Sequence, residues 1–197
     1  MINKLINFIE TSCLPTDIAT FDVHAFTEIS NEKDHLAITI GDVSIQNPVL
    51  ARIHSQCITG ESFFSLRCDC RYQLTESLKR IAEKGSGIVF YLQQEGRGIC
   101  LSNKIRAYKL QDDGLDTVEA NQHLGFHEDE RSYEIVVAMA THLKIHSIDL
   151  MTNNPRKIKA IEKSGLKINK RIPIKVVFND HNKNYLDTKV KKLGHLM

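Results

Sequence analysis

Three thiols fall within one short stretch, Cys57-Ile-Thr-Gly-Glu-Ser-Phe-Phe-Ser-Leu-Arg-Cys68-Asp69-Cys70, and two of them flank a single residue. Such a cluster suits a borderline-soft metal such as zinc, because thiolates bind it strongly and carry the charge it needs. The number of ligands decides what kind of site this is. Structural zinc sites close with four protein ligands, whereas three leave a tetrahedral position for water, the catalytic pattern. Zinc lowers the pKa of that water from about 15.7 to about 7, which makes hydroxide available at neutral pH. Two plainer readings stand beside this one. His54 could be a fourth ligand closing a structural site, or the thiols could be packed residues with no metal.

Other stretches also carry chemistry. Gln93-Gln-Glu-Gly-Arg-Gly98 follows an apolar run; its glycines allow close backbone approach to a ligand, and Glu95 and Arg97 offer opposite charges. A plain tight turn needs the same glycines. Tyr108 has Lys104 one turn earlier on the same helix face. Residues 113–131 are strongly polar. They read either as a solvated face or as a mobile substrate loop supplying Asp129 and Arg131 to one ligand. Asn154-Pro155 reads as a helix start; with Thr152, Arg156 and Lys157 around it, this is an anion site or an ordinary capped surface helix.

The elements that must position these groups alternate in type. Leu5, Phe8 and Ile9 suggest a short helix before a break at Pro15 and Thr16. A strand through Phe21, Val23 and Ala25 and a loop over 27–35 follow. Strands are expected at Leu36–Gly41 and Pro48–His54, joined by a hairpin-like connection over 41–47. Leu74, Leu78, Ile81 and Ala82 predict an amphipathic helix over 72–84, ended by Gly85 and Gly87. Ile88–Leu92 reads as a buried strand, giving a βαβ crossover. Helices are expected at 99–111, 132–143 and from Asn154 to Gly165, with a strand at Ile148–Met151. Ile172–Val177 reads as a further strand at an edge, because of Pro173. A polar tail over 184–197 could be helical.

The 197 residues are 42% hydrophobic and 25% charged with net charge +2, values of an ordinary globular chain that imply neither nucleic acid nor membrane. There is no apolar run of about eighteen residues, and the stretch Met1-Ile-Asn-Lys-Leu-Ile-Asn7 lacks the features of a signal peptide. Five cysteines, three of them candidate ligands, fit a reducing cytoplasm better than a disulfide framework. With no repeat and no long linker, residues 1–197 read as one catalytic domain, weakly patterned over 1–35.

Seven motifs in order carry a resemblance: Ala51-Arg-Ile-His-Ser-Gln-Cys57, Arg67-Cys-Asp-Cys70, Gln94-Glu-Gly-Arg-Gly98, Asn103-Lys-Ile-Arg-Ala-Tyr108, Asp116-Thr-Val-Glu-Ala-Asn121, Leu150-Met-Thr-Asn-Asn-Pro155 and Tyr185-Leu-Asp-Thr-Lys189. Through them the chain resembles the GTP cyclohydrolase II family of riboflavin biosynthesis, strongly over residues 48–189 and thinly before residue 35. The resemblance implies an α/β fold, a layered mixed β-sheet core with flanking helices. It implies a hydrolase acting on cyclic amidines, with one zinc per chain held by Cys57, Cys68 and Cys70 and with magnesium on the triphosphate. GTP would be opened at guanine C8 and cleaved at the α-phosphate, giving formate, diphosphate and a diaminopyrimidine ribosylamino phosphate. Tyr108 matches a tyrosine near this chemistry.

Arg131 matches a nucleophile on the α-phosphorus, with Asp129 as its base. A guanidinium has a pKa above about 12, and a neighbouring carboxylate makes its deprotonation harder, so Arg131 stabilising phosphoryl charge while water attacks is an equally physical role. GTP contacts carry over to Arg52, Ile53, His54, Ser55, Gln56, Gln73, Glu95, Gly96, Arg97, Thr117, Thr152 and Lys157. Arg52, Arg97 and Lys157 are the cations for triphosphate, and Glu95 is the acceptor for guanine. The resemblance implies a homodimer in the cytoplasm. Two positions depart from the pattern: Arg71 and Cys100 stand where a small residue, often glycine, is usual. Two alternatives remain open, a paralogue that releases only diphosphate or stops at the formylated intermediate, and a non-catalytic zinc-stabilised GTP- or RNA-binding module.

Overall fold

The computed structural model describes residues 5–196. Residues 1–4, the start of the stretch read for a leader, and residue 197 lie outside the described residues. In chain order the elements are β1 (Ile6–Pro15), β2 (Thr20–Glu28), β3 (Asp34–Ile40), β4 (Val49–Ser55), α1 (Ile58–Glu61), α2 (Cys70–Lys84), β5 (Gly87–Leu92), a tight turn at Glu95–Gly98, α3 (Cys100–Asp112), α4 (Thr117–His123), α5 (Glu134–His142), β6 (Ser147–Met151), α6 (Pro155–Lys163), β7 (Lys167–Ile172) and α7 (Lys183–Lys191). Contacts divide the chain into two compact units. The first holds the segment up to His54, Leu74–Gln93 and Ser132–Ile174. The second holds Ser55–Gln73, Gln94–Arg131 and the segment from Lys175.

The first unit is built on a mixed sheet with strand order β1-β2-β3-β5-β4-β6-β7. The β1, β2, β3 and β5 neighbours pair antiparallel, whereas β4, β6 and β7 run parallel. Side chains alternate across it with the period of two that a strand imposes. Ala51 and Ile53 of β4, Phe90 and Leu92 of β5 and Leu150 of β6 join one buried cluster with Val136, Met139 and Ile161 from α5 and α6. Leu50, Val89 and Met151 join another with Ile81 of α2, against which Leu74 and Leu78 also pack. Both faces of the central strands are therefore covered, which is the layered α/β arrangement expected.

Three expectations fail, each because a partner distant in sequence decides the outcome. The stretch at Phe8 and Ile9 is strand β1, not a helix. It pairs with β2 from Ile6↔Glu28 to Pro15↔Thr20, and Phe8 packs on Phe26 with ring centroids 5.5 Å apart. β3 and β4 do not form a hairpin, because β5 lies between them and pairs with β3 from Leu36↔Tyr91 to Ile40↔Gly87. An apolar strand such as β5 needs neighbours on both sides, which a sheet edge cannot supply. The last strand is Lys167–Ile172 rather than Ile172–Val177. Pro173, with no N–H to offer a ladder, comes directly after its end.

The second unit is helical. Its α4 was not foreseen within the polar stretch 113–131. Asp116 caps it by accepting hydrogen bonds from Val118 N at 2.8 Å and Glu119 N at 3.0 Å, while Glu119 accepts from Asp116 N at 2.9 Å. This capping box ties up the charged groups and lets Val118, Ala120 and Asn121 be buried. No helix among the described residues is long and apolar enough to cross a membrane.

Gly87 sits where α2 packs closely on the sheet. A Cβ there would stand 2.5 Å from Ile81 Cγ2 and 2.8 Å from the Leu50 carbonyl oxygen. Gly87→Ala is therefore expected to cost about 1–3 kcal/mol by overpacking, read as a lower urea midpoint at constant m-value. An unchanged midpoint would show that α2 can move off the sheet freely.

Candidate active site

The thiols meet within the second unit. Cys57 precedes α1, Cys68 lies in the following loop and Cys70 opens α2. Their sulfurs all lie within 4.8 Å of one another, and Cys57 Sγ is 3.6 Å from Cys68 Sγ. Two thiolates on one tetrahedral zinc, each about 2.3 Å from it, would stand about 3.8 Å apart, so the spacing fits a shared ion. Gly60 shapes the cradle: a Cβ there would fall 2.7 Å from Cys68 Sγ and 3.2 Å from Cys57 Sγ. The protons tell the same story. Hydrogen bonds from the Cys68 and Cys70 thiols, aided by the nearby Lys104 ammonium, lower the pKa of Cys57. The bond to Cys57 in turn pushes Cys68 up to about 11, and Cys70 is also raised. Protein alone thus favours one thiolate, and a divalent cation would let all three ionise. Among the described residues no His, Asp or Glu ligand atom joins this group. His54, weighed as a closing ligand, stacks instead on Tyr91 with centroids 5.9 Å apart.

A cavity enclosing about 670 Å³ of empty space, solvent at its mouth included, lies over the cradle. Besides the three cysteines, Ser55, Gln56, Thr117, Tyr108 and Arg131 line it, as do Glu95, Gly96 and Arg97. The turn carrying those last three is left-handed at both Gly96 (φ 63°) and Arg97 (φ 61°). Gly98 lets the next segment close on it. A Cβ at Gly98 would lie 3.1 Å from the Glu130 carbonyl carbon, and Glu130 N donates to Arg97 O at 3.0 Å. That contact places Asp129 and Arg131, so they stand on an anchored segment rather than a loose loop. Arg131 Nε and Nη2 each donate to Asp129 at 2.7 Å, a bidentate pair. Burial pushes the Asp129 carboxyl up, but the hydrogen bonds and charge of Arg131 outweigh it and hold the pKa below its usual value. Arg97 Nη2 is buried with no hydrogen-bond partner among the described residues, while Nη1 reaches Glu128 O at 3.5 Å. An anion would satisfy that nitrogen. Tyr108 Oη lies 3.3 Å from Thr59 Oγ1, and burial raises its pKa, so it stays a protonated phenol.

Several groups do work that sequence reasoning did not foresee. The Glu95 carboxylate, expected at guanine, accepts from Ile58 N at 2.6 Å, Gly96 N at 2.9 Å and Lys104 Nζ at 2.7 Å. A carboxylate has about four acceptor sites, so little capacity is left for guanine. Asp69, between the two cysteines, is buried and accepts from Lys189 Nζ at 2.7 Å and Gln73 Nε2 at 2.6 Å. Lys189 in turn lies 4.3 Å over the Tyr185 ring. The Asn103–Tyr108 and Tyr185–Lys189 motifs were the only signals for these roles. Arg71 is exposed with its guanidinium 4.2 Å over Phe64, and Cys100 is exposed in a left-handed conformation at φ 69°. That backbone is why glycine suits this position.

The remaining expected contacts belong to the first unit. Arg52 Nη1 donates to Met151 O at 2.9 Å, and Lys157 Nζ to Ile53 O at 2.8 Å. Thr152 Oγ1 accepts from Asn154 N at 3.0 Å, and Asn154 caps α6 as expected. Lys157 is buried at 5% exposure, so it is not a surface lysine of an ordinary capped helix.

Comparison with known proteins points one way. The family described as GTP cyclohydrolase II matches residues 8–173. A GTP cyclohydrolase-2 from Hahella chejuensis is 53% identical over 192 residues, covering 98% of this chain and 93% of that protein. One from Saccharophagus degradans is 54% identical over 191 residues, covering 97% and 96%. A solved structure of RibBX, a two-domain 3,4-dihydroxy-2-butanone 4-phosphate synthase from A. baumannii, is similar with TM-score 0.54 and 12% identity over 87% of this chain. The chain spans 43% of that structure, and at such identity the likeness is one of fold alone.

Two outcomes follow from the site geometry. Gly60→Ala should spread the sulfurs and hold less added zinc than the native chain by elemental analysis; equal uptake would refute the cradle. Because the Asp129 pKa is lower in the folded state, its pair stabilises above the unfolded value of about 3.9 and fades as pH falls through the folded value. The stability gap between the native chain and Asp129→Asn, measured by urea unfolding, should be full at neutral pH and shrink below about pH 4. A gap independent of pH would contradict the pairing.

Proposed function

The chain belongs to the GTP cyclohydrolase II family, hydrolases of riboflavin biosynthesis, and from that premise we propose that it converts GTP to formate, diphosphate and a diaminopyrimidine ribosylamino phosphate. The observation that carries this reading is that the thiol cradle, Tyr108, Arg97 and Arg131 line one cavity. Cys57, Cys68 and Cys70 would hold a zinc ion there, which would supply a Lewis acid and an activated water.

The side chains divide the remaining work. Tyr108, a protonated phenol held by Thr59, donates to the guanine ring nitrogen as the imidazole ring opens. Arg131 remains a guanidinium, because Asp129 grips it in a bidentate pair and is itself held ionised. Its task is therefore to balance charge on the α-phosphoryl group while water attacks, rather than to attack itself. Arg97 offers its buried Nη2 to phosphate, and magnesium carried by the triphosphate would offset part of its negative charge. Ser55, Gln56, Gly96 and Thr117 line the same cavity and are read as GTP contacts. Gln73 and Glu95 support the site's walls through Asp69 and Lys104. Arg52, Ile53, His54, Thr152 and Lys157 match GTP contacts of the family, and Arg52 and Lys157 each also donate to a backbone carbonyl of the first unit. The chain is read as one catalytic domain, acting as a homodimer in the cytoplasm.

Purified zinc-loaded protein given GTP and Mg²⁺ should release formate, diphosphate and the pyrimidine in equal amounts. Diphosphate alone would indicate the partial-reaction paralogue, and no product a binding module. Removing Arg131 as Arg131→Ala should cut diphosphate release by about 10²–10³-fold, the usual cost of one charge-stabilising donor. Intact-mass analysis during turnover should show no guanylyl adduct; an adduct on Arg131 would establish it as the nucleophile.

A further inference from the structure

Lys104 was given no place in the reaction itself, yet its ammonium stands beside the metal-binding sulfur. The side chain comes from the first turns of α3 and is buried at 8% exposure. Its Nζ lies 3.2 Å from Cys57 Sγ, 2.8 Å from Thr59 Oγ1 and 2.7 Å from Glu95 Oε1. An ammonium has three N–H donors, and here each has one partner. Glu95 also holds the amides of Ile58 and Gly96, so the position of the ammonium is set by the backbone on either side of the cradle. A buried ion pair is weak evidence for stability, since well-packed apolar side chains would serve as well. What apolar side chains could not do is direct a proton at the sulfur. Thr59 extends the connection: its Oγ1 lies 3.8 Å from Cys57 Sγ and 3.3 Å from Tyr108 Oη. Lys104 thus links a metal-binding sulfur to the phenol expected to act on the ring.

We propose that Lys104, fixed by Glu95, is a positioning residue that hydrogen-bonds the Cys57 sulfur and sets how that thiolate is presented to the metal. The proposal rests on reading the three cysteines as a metal site. A hydrogen bond to a thiolate lowers the energy of its lone pairs, which raises the charge-transfer energy, and holds the sulfur at the angle at which it shares the ion with its neighbours; losing that positioning weakens binding. Partners of this kind change metal affinity by about 10- to 100-fold when removed.

The test loads the full chain with Co²⁺ in place of zinc and reads its thiolate-to-cobalt charge-transfer absorption. Zinc affinity is measured in parallel by competition with a chromophoric chelator. Lys104→Met is expected to shift the charge-transfer band to lower energy and weaken zinc binding about 10- to 100-fold with unchanged circular dichroism. Lys104→Arg, which keeps a charged donor, is expected to restore part of both. If Lys104→Met does not fold, Lys104→Gln is read the same way, because it removes the charge and keeps a polar group beside Glu95. Folded variants with native band position and affinity would overturn the proposal and leave only a structural ion pair. Native protein that shows no thiolate–cobalt band at all would overturn the metal reading, and this proposal with it.

Discussion

Sulfurs crowded within 4.8 Å cannot all carry charge unless positive charge is brought to them. Much of the second unit answers that constraint. The Lys104 ammonium reaches Cys57, and Lys189 neutralises Asp69 between the other two cysteines. Both lysines are buried, and both are pinned by carboxylates that are buried too. Burial of four such charges costs free energy unless each is paired and hydrogen-bonded. The cradle is thus stiff because its surroundings tolerate only one arrangement.

Backbone conformation does the rest of the positioning. The left-handed turn at Gly96 and Arg97 brings Glu95 to face the Ile58 amide and leaves Arg97 with one nitrogen buried and unsatisfied. Gly98 then admits the Glu130 backbone, and with it the Asp129–Arg131 pair. The thiol cradle, Arg97 and the Asp129–Arg131 pair therefore depend on four successive residues, Glu95 to Gly98. A turn of this kind is local, but what it joins lies dozens of residues apart.

Signals confined to a few neighbouring positions were readable in the sequence. Asn154, Pro155 and Gly165 marked α6, the apolar spacing of Leu74, Leu78 and Ile81 marked α2, and Cys57, Cys68 and Cys70 marked the cradle. What escaped was set by distant partners. β1 is a strand because β2 pairs with it, and β3 is parted from β4 by a strand that comes later in the chain. Lys104 and Cys57 are 47 positions apart, so nothing near either one announces their contact. The Asp116–Glu119 capping box is the exception. Its spacing is local and readable, but in so dense a run of charge the same residues equally fit a solvated face or a substrate loop. Cys100 shows a further limit: its departure from the expected glycine could be seen, but the left-handed backbone that makes glycine fitting could not.

The pairing of Asp69 has a temporal side. Its cation is Lys189, 120 residues further along the chain. During synthesis Cys57, Cys68 and Cys70 leave the ribosome long before the group that neutralises the carboxylate between them. A nascent chain can gather its sulfurs, but it must keep Asp69 hydrated until α7 has emerged. The Asp69–Lys189 pair is therefore a contact the chain can make only once nearly all of it has emerged.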